Sequence, residues 1–213
     1  MPAATERLQL LDWKERVAAL YEMVRAARDQ SAAWTSWCAA RDDLFQHHPQ
    51  SPLPERDRAR RTVSYYPYDS AARVLAEVAD VAPVSHDVAA SDGVAYRFTR
   101  FAAAGFTLFG QACRLSLYWL EGYGGGLFLP FRDGTSGGET YGGGRYLFDT
   151  VKGADLGIED GRLILDFNFS YNPSCAYDPR WSCPLSPPEN KLRIAVRAGE
   201  RTPMIQAEEA SDA

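Results

Sequence analysis

Residues 94–120 read VAYRFTRFAAAGFTLFGQACRLSLYWL. Aromatic and β-branched residues crowd this stretch, as they do on a pleated, half-buried surface. It predicts strands over 94–101, 106–109 and 114–120 with turns between them. On either side, strand-like segments recur over 74–81, 127–132, 145–148, 162–167 and 192–197. Asp92-Gly93 and Asp160-Gly161 are tight-turn dipeptides. No helix of crossover length falls between most of these segments, so the sheet is expected to be antiparallel. The expectation is an α+β, mainly β fold: an antiparallel β-barrel or sandwich of about eight strands with an N-terminal helical pair packed on it.

The helical pair comes from a different periodicity. Leu10, Trp13, Val17, Leu20 and Val24 recur at steps of three and four, which predicts an amphipathic helix from Thr5 to about Arg28. A second helix is expected with Ser31 as its cap, Trp34, Trp37, Cys38, Arg41 and Phe45 on one side and Pro49 at its end. His47-His48 reads as a cationic surface cap on that helix. The chain divides accordingly into a helical pair over 1–48, a linker over 49–61, a β-domain over 62–200 and a flexible acidic tail over 201–213.

Composition narrows the function classes. The 213 residues are 46% hydrophobic, enough for a sizeable core. A net charge of −5 argues against nucleic acid, and the basic run 56–61 is interrupted by Asp57. No apolar run approaches the ~20 residues of a membrane span. The start, Met1 to Glu6, lacks the features of a signal peptide, so the cytoplasm is expected. Four cysteines, Cys38, Cys113, Cys175 and Cys183, are expected to be free thiols; Cys175 and Cys183 flank a short proline-bearing segment but match neither a CxxC pair nor paired zinc knuckles.

Function concentrates between residues 131 and 190, in three blocks: FRDGTSGGETYGGGRYL, LDFNFSYNPSCAY, and CPLSPPEN followed by Ala198-Gly199-Glu200. With Trp37, Arg41-Asp42, Ser51-Pro52-Leu53 and Tyr66-Pro67-Tyr68-Asp69 upstream, the order resembles an uncharacterised bacterial family, catalogued as domain of unknown function 1684, over roughly Trp34 to Glu200. The resemblance implies no activity, and it makes the stretch 151–161 a variable loop.

Read on their own, the blocks exclude several familiar chemistries. The glycines between 122 and 126 and between 142 and 144 are neither a dinucleotide fingerprint nor a phosphate loop, and turns or close backbone approach account for them. Gly134-Thr135-Ser136-Gly137-Gly138 spells G-x-S-x-G, but glycines follow where a helix is needed, and all three histidines precede the serine. No cofactor and no metal site is expected; a hard cation at Asp133, Asp166, Asn168 or Glu189 stays open.

Carboxylates remain as reactive groups. Asp133, Asp166 and Glu189, with Tyr141, are the candidate acid/base residues, and Arg145 is the candidate anchor for an anion. Thr140, Tyr146, Asn168, Tyr171, Asn172 and Asn190 complete the expected substrate contacts. The first expectation is a cofactor-independent hydrolase or lyase acting on a small anionic metabolite. The alternatives are a non-catalytic small-molecule-binding β-barrel and a structural or subunit-interaction domain, with a homodimer open.

Overall fold

The computed structural model describes residues 4–59, 62–91, 93, 95–122 and 124–203. The end of the basic run (Arg60, Arg61), Asp92 of the expected turn, Val94, and 204–213 of the acidic tail lie outside the described residues. Two helices open the chain, α1 (Ala4–Ala26) and α2 (Gln30–His47). Val17, Leu20, Tyr21 and Val24 form the buried stripe of α1, as the three- and four-residue steps require. Asp29, not Ser31, caps α2: its extended backbone lets the carboxylate accept from Ala32 N at 3.0 Å, whereas Ser31 already sits inside the first turn. His48 does cap α2, its backbone N–H donating to Leu44 O, but only His47 is at the surface. His48 is buried, its Nε2 lies 2.9 Å from Asp12 on α1, and its Nδ1 accepts from Gln50 N, so it ties the two helices together.

Seven strands follow: β1 (Arg73–Ala89), β2 (Ala95–Leu108), β3 (Gln111–Leu120), β4 (Gly126–Phe131), β5 (Arg145–Asp149), β6 (Ile158–Glu159) and β7 (Arg162–Asp166). They form one antiparallel sheet in the order β5-β4-β3-β2-β1-β7-β6. Its edge strands β5 and β6 do not pair with each other, so the sheet stays open. The strands expected over 94–101 and 106–109 are one strand, with Gly105 paired in mid-ladder opposite Arg114. A bulge between Arg100 and Ala102 keeps that strand continuous while reversing its faces. Phe98 therefore points toward the helices, and Ala102, Ala104, Phe106 and Leu108 point the other way. In β1 the register shifts between Asp80 and Val84, around Pro83, which has no N–H for the ladder.

Both faces of the sheet are covered. Tyr118, Phe128 and Tyr146 pack with Val17, Leu20, Tyr21 and Trp37 of the helices. Leu115, Leu117, Leu129 and Phe131 pack with Leu192, Val196 and Ala198. The segment 192–197, expected as a strand, pairs with no strand; Leu192 N and Gly134 N bond across it to Arg132 O and Ile194 O, and further on its carbonyls meet a side chain instead of a neighbouring ladder.

Candidate functional site

The polar blocks separate into distinct clusters. In the first, Asp133 Oδ1 accepts from Thr135 N (2.9 Å), Thr135 Oγ1 (2.6 Å) and Ser136 Oγ (3.3 Å). Its Oδ2 accepts from Val196 N (2.9 Å) and Arg145 Nη2 (3.0 Å). Arg145, 1% exposed, also donates to the carbonyls of Val196, Ala198 and Glu200 and lies over the Phe131 ring. Burial pulls its pKa down and the Asp133 charge opposes that shift. Thr140 closes the cluster through its hydroxyl, 2.8 Å from that of Thr135. An arginine forked among a carboxylate and three carbonyls is built as a clamp on the chain itself.

A second cluster holds Asp166 and Asn168. Asn168 donates its amide N–H and side chain to Asp166 Oδ1 and exchanges two further bonds with the backbone of Asp69. Asn190 is likewise committed, donating to Ser116 O and Pro130 O and accepting from Ser116 N, which fastens the Pro-rich segment to β3 and β4. Glu189 is exposed beside them: its Oε1 accepts from Tyr118 OH at 2.8 Å and lies 3.9 Å from His86 Nδ1. A further buried pair, missed in the sequence, joins Arg41 of α2 to Glu200. That carboxylate also accepts from Asn172 N and Tyr177 OH, both at 2.7 Å.

Tyr141 stands apart from Arg145. Gly143 has no Cβ, and one built there would meet the Tyr141 ring at 2.5 Å, so the ring lies against the backbone and its hydroxyl sits 3.6 Å from Cys175 Sγ. Burial raises the Tyr141 pKa, and the Cys175 sulfur raises it further.

Three cavities gather elsewhere, around a residue inside the stretch read as a variable loop. Two hydrogen bonds between Asp149 and Ala154 pinch the turn after β5 and present Lys152. Its ammonium lies 2.8 Å from Asp149 and 5.9 Å from the centre of the Tyr146 ring. Burial is the largest single influence on Lys152 and lowers its pKa, but the charge of Asp149 and its hydrogen bond, with smaller contributions from Cys183 and Tyr96, together leave the net shift upward, so the cation is kept. Lys152 lines three cavities. One of about 200 Å³ has apolar walls from Phe98, Leu120, Leu127 and Phe128. Another of about 160 Å³ is bordered by Trp13, Pro52, Ser174 and Cys183. The third, about 40 Å³, is lined by Tyr21, Arg41, Tyr171 and Asn172. Around it, Tyr21 OH, Tyr171 OH and Asn172 Oδ1 are buried without a hydrogen-bond partner. Such atoms are costly unless something polar enters beside them.

Of the residues named from sequence, Tyr171 and Asn172 therefore border a cavity. Tyr146 packs between Phe128 and Tyr171 and donates its hydroxyl to Pro184 O. Lys152 and Tyr21 were not named: no motif marks a lysine in a short turn, and Tyr21 sits in a helical stripe whose spacing speaks of packing. Among the described residues no group of three or more His, Cys, Asp or Glu side chains is placed to hold a metal ion, and no helix is long and apolar enough to cross a membrane.

A family described as "Protein of unknown function (DUF1684)" matches residues 59–201. No curated protein matches the sequence. The solution NMR structure of an uncharacterized protein from Haloarcula marismortui is similar, with a TM-score of 0.59 at 36% identity, covering 84% of this chain and 98% of that one. The match over residues 59–201 spans more than half of the chain, and the chain belongs to this family of unknown function, DUF1684.

Proposed function

We propose that this protein binds a small anionic metabolite with an apolar body, held by Lys152. One observation carries the reading: Lys152 borders a small cavity at which two hydroxyl donors, Tyr21 OH and Tyr171 OH, lack partners, and it also borders an apolar cavity of about 200 Å³. A carboxylate head would accept from the ammonium and the two phenols, and a short apolar tail would lie against Phe98, Leu120 and Phe128. Drug-sized ligands need roughly 300–1,000 Å³, so the ligand is small. A net charge of −5 supports a partner other than nucleic acid, and the reading keeps a cytoplasmic location.

Hexanoate, with hexanol as its uncharged counterpart, provides the test. Amide resonances of Leu127, Phe128 and Lys152 should shift saturably with hexanoate, and Lys152→Met should weaken its binding by about 10-fold or more. Equal binding of hexanol, or no shift with either, would end the reading.

Acid/base catalysis on a small metabolite is a second reading, and Glu189 favours it. Of the three carboxylates named from sequence it alone is exposed, with the Tyr118 hydroxyl and His86 beside it. Turnover of a p-nitrophenyl ester that is lost in Glu189→Gln would support catalysis; equal rates in both proteins would remove Glu189 from it.

A further inference from the structure

Two of the four cysteines have been brought together. Cys183 is buried, held alongside the end of β1 by hydrogen bonds from Ser91 N to its carbonyl (3.0 Å) and from its own N–H to Ser91 Oγ (3.2 Å). Cys175 lies on the single turn Ser174–Ala176 that follows Pro173, and its backbone N–H points at Cys183 Sγ from 3.3 Å. The Cys175 sulfur is three bonds from that nitrogen, so rotation about its own χ1 sweeps it past the Cys183 sulfur. Both thiols are free. Cys183 and Ser174, the neighbour of Cys175, border the cavity of about 160 Å³, and Cys175 itself is only half-buried, so a small oxidant can come close.

We propose that Cys175 and Cys183 form a dithiol that reduces hydroperoxides and closes to a disulfide. The Cys175 thiolate attacks a peroxide oxygen: an S–O bond forms, the O–O bond breaks, and the leaving oxygen takes a proton to depart as an alcohol, or as water from hydrogen peroxide. Cys175 is then a sulfenic acid. The Cys183 sulfur attacks it, an S–S bond forms, and the hydroxyl leaves as water with the Cys183 proton. The two thiols have lost two protons and two electrons, the Cys175 proton going to the leaving oxygen and the Cys183 proton to the water, and the peroxide has gained them.

The surroundings favour this division of labour. The Cys183 thiol, donating to the Cys175 sulfur, is the largest influence holding the Cys175 pKa below the usual thiol range; burial opposes it and Tyr141 reinforces it. Cys183 is shifted upward by the same contact and by burial, so it keeps its proton and leaves Cys175 as the thiolate that meets the peroxide first. By contrast, burial pushes Cys38 up to about 12 and raises Cys113.

The test uses the reduced full-length protein with one equivalent of hydrogen peroxide. Intact mass should fall by two hydrogens, and peptide mapping should join Cys175 to Cys183. In Cys183→Ser the reaction should stop at the sulfenic acid, so dimedone labels Cys175; Cys175→Ser should give neither product. A wild-type map without that bond, or with Cys38 or Cys113 oxidised first, overturns the proposal, and it does so without relying on the folding of any variant. Dimedone labelling of Cys183→Ser no greater at Cys175 than at Cys38 overturns it as well. The readout is a covalent bond, so its failure leaves the Lys152 reading intact.

Discussion

Arg145 and Asp133 meet at 3.0 Å with both side chains closed to solvent, and the remaining guanidinium bonds run to the carbonyls of Val196, Ala198 and Glu200. This explains why the segment before Glu200 carries no ladder. It crosses the sheet face that buries Leu192, Val196 and Ala198, and a side chain from the edge strand β5 supplies donors in place of a neighbouring backbone. Glu200 extends the same principle to the helices through Arg41, whose guanidinium lies 4.9 Å from the Trp37 ring centre and 5.0 Å from that of Phe45.

Arg145 is expected to act on stability. Removing one partner of a buried ion pair leaves the other charge uncompensated, so Arg145→Met should cost about 3–5 kcal/mol in urea unfolding. Arg145→Lys keeps the charge but loses the planar fork that reaches several carbonyls, and an intermediate loss of about 1–3 kcal/mol should follow. Wild-type midpoints in both variants would show that the clamp does not hold the C-terminal segment.

The architecture was legible because packing leaves a periodic trace. Val17, Leu20 and Val24 repeat at helical steps, and Leu115 and Leu117 alternate with their neighbours as a strand must. Hidden from that trace was the bulge at Arg100/Ala102, which joins two expected strands into one, and the capture of 192–197 by a side chain. The blocks between residues 131 and 190 stood out as unusual polar residues, but a sequence shows residue types and not their partners. The carbonyls that occupy Arg145 belong to residues more than fifty positions away. Lys152 illustrates the converse. It lies in a turn with no motif, and its interest comes only from Tyr21, Tyr171 and Asn172 arriving from other parts of the chain.

Asp166 should give the stability an unusual pH slope. It is 1% exposed; its Oδ1 takes two bonds from Asn168 and its Oδ2 has none. Burial raises its pKa above the ordinary carboxyl value of 3.8, with the Asn168 bonds opposing. The folded state then holds the proton more tightly than the unfolded state does. Its contribution is present in full at low pH and is lost as pH rises from about 3.9 through the folded value. Asp166→Asn should remove that descent, so urea midpoints measured across mildly acidic pH should fall less with rising pH than in the wild type. A steeper fall in the variant would mean that Asp166 is stabilised as the anion.

Tyr171 separates binding from packing. Its hydroxyl is buried without a partner beside the cavity that Lys152 borders, while its ring packs on Tyr146 and under the Arg41 guanidinium. Tyr171→Phe keeps the ring contacts and removes an oxygen that costs about 1–3 kcal/mol to bury unsatisfied, so thermal stability should be unchanged or higher. If that oxygen serves the ligand, hexanoate binding should weaken by roughly 5- to 10-fold, the value of one hydrogen bond. Tyr146→Phe is the internal contrast. Its hydroxyl already donates to Pro184 O, so the variant should lose about 1 kcal/mol of stability and bind hexanoate nearly as before. Melting temperatures and hexanoate titrations of the two variants decide the matter. A Tyr171→Phe protein that is less stable yet binds normally would make its hydroxyl part of the packed core, and the polar cavity would lose its claim on the ligand.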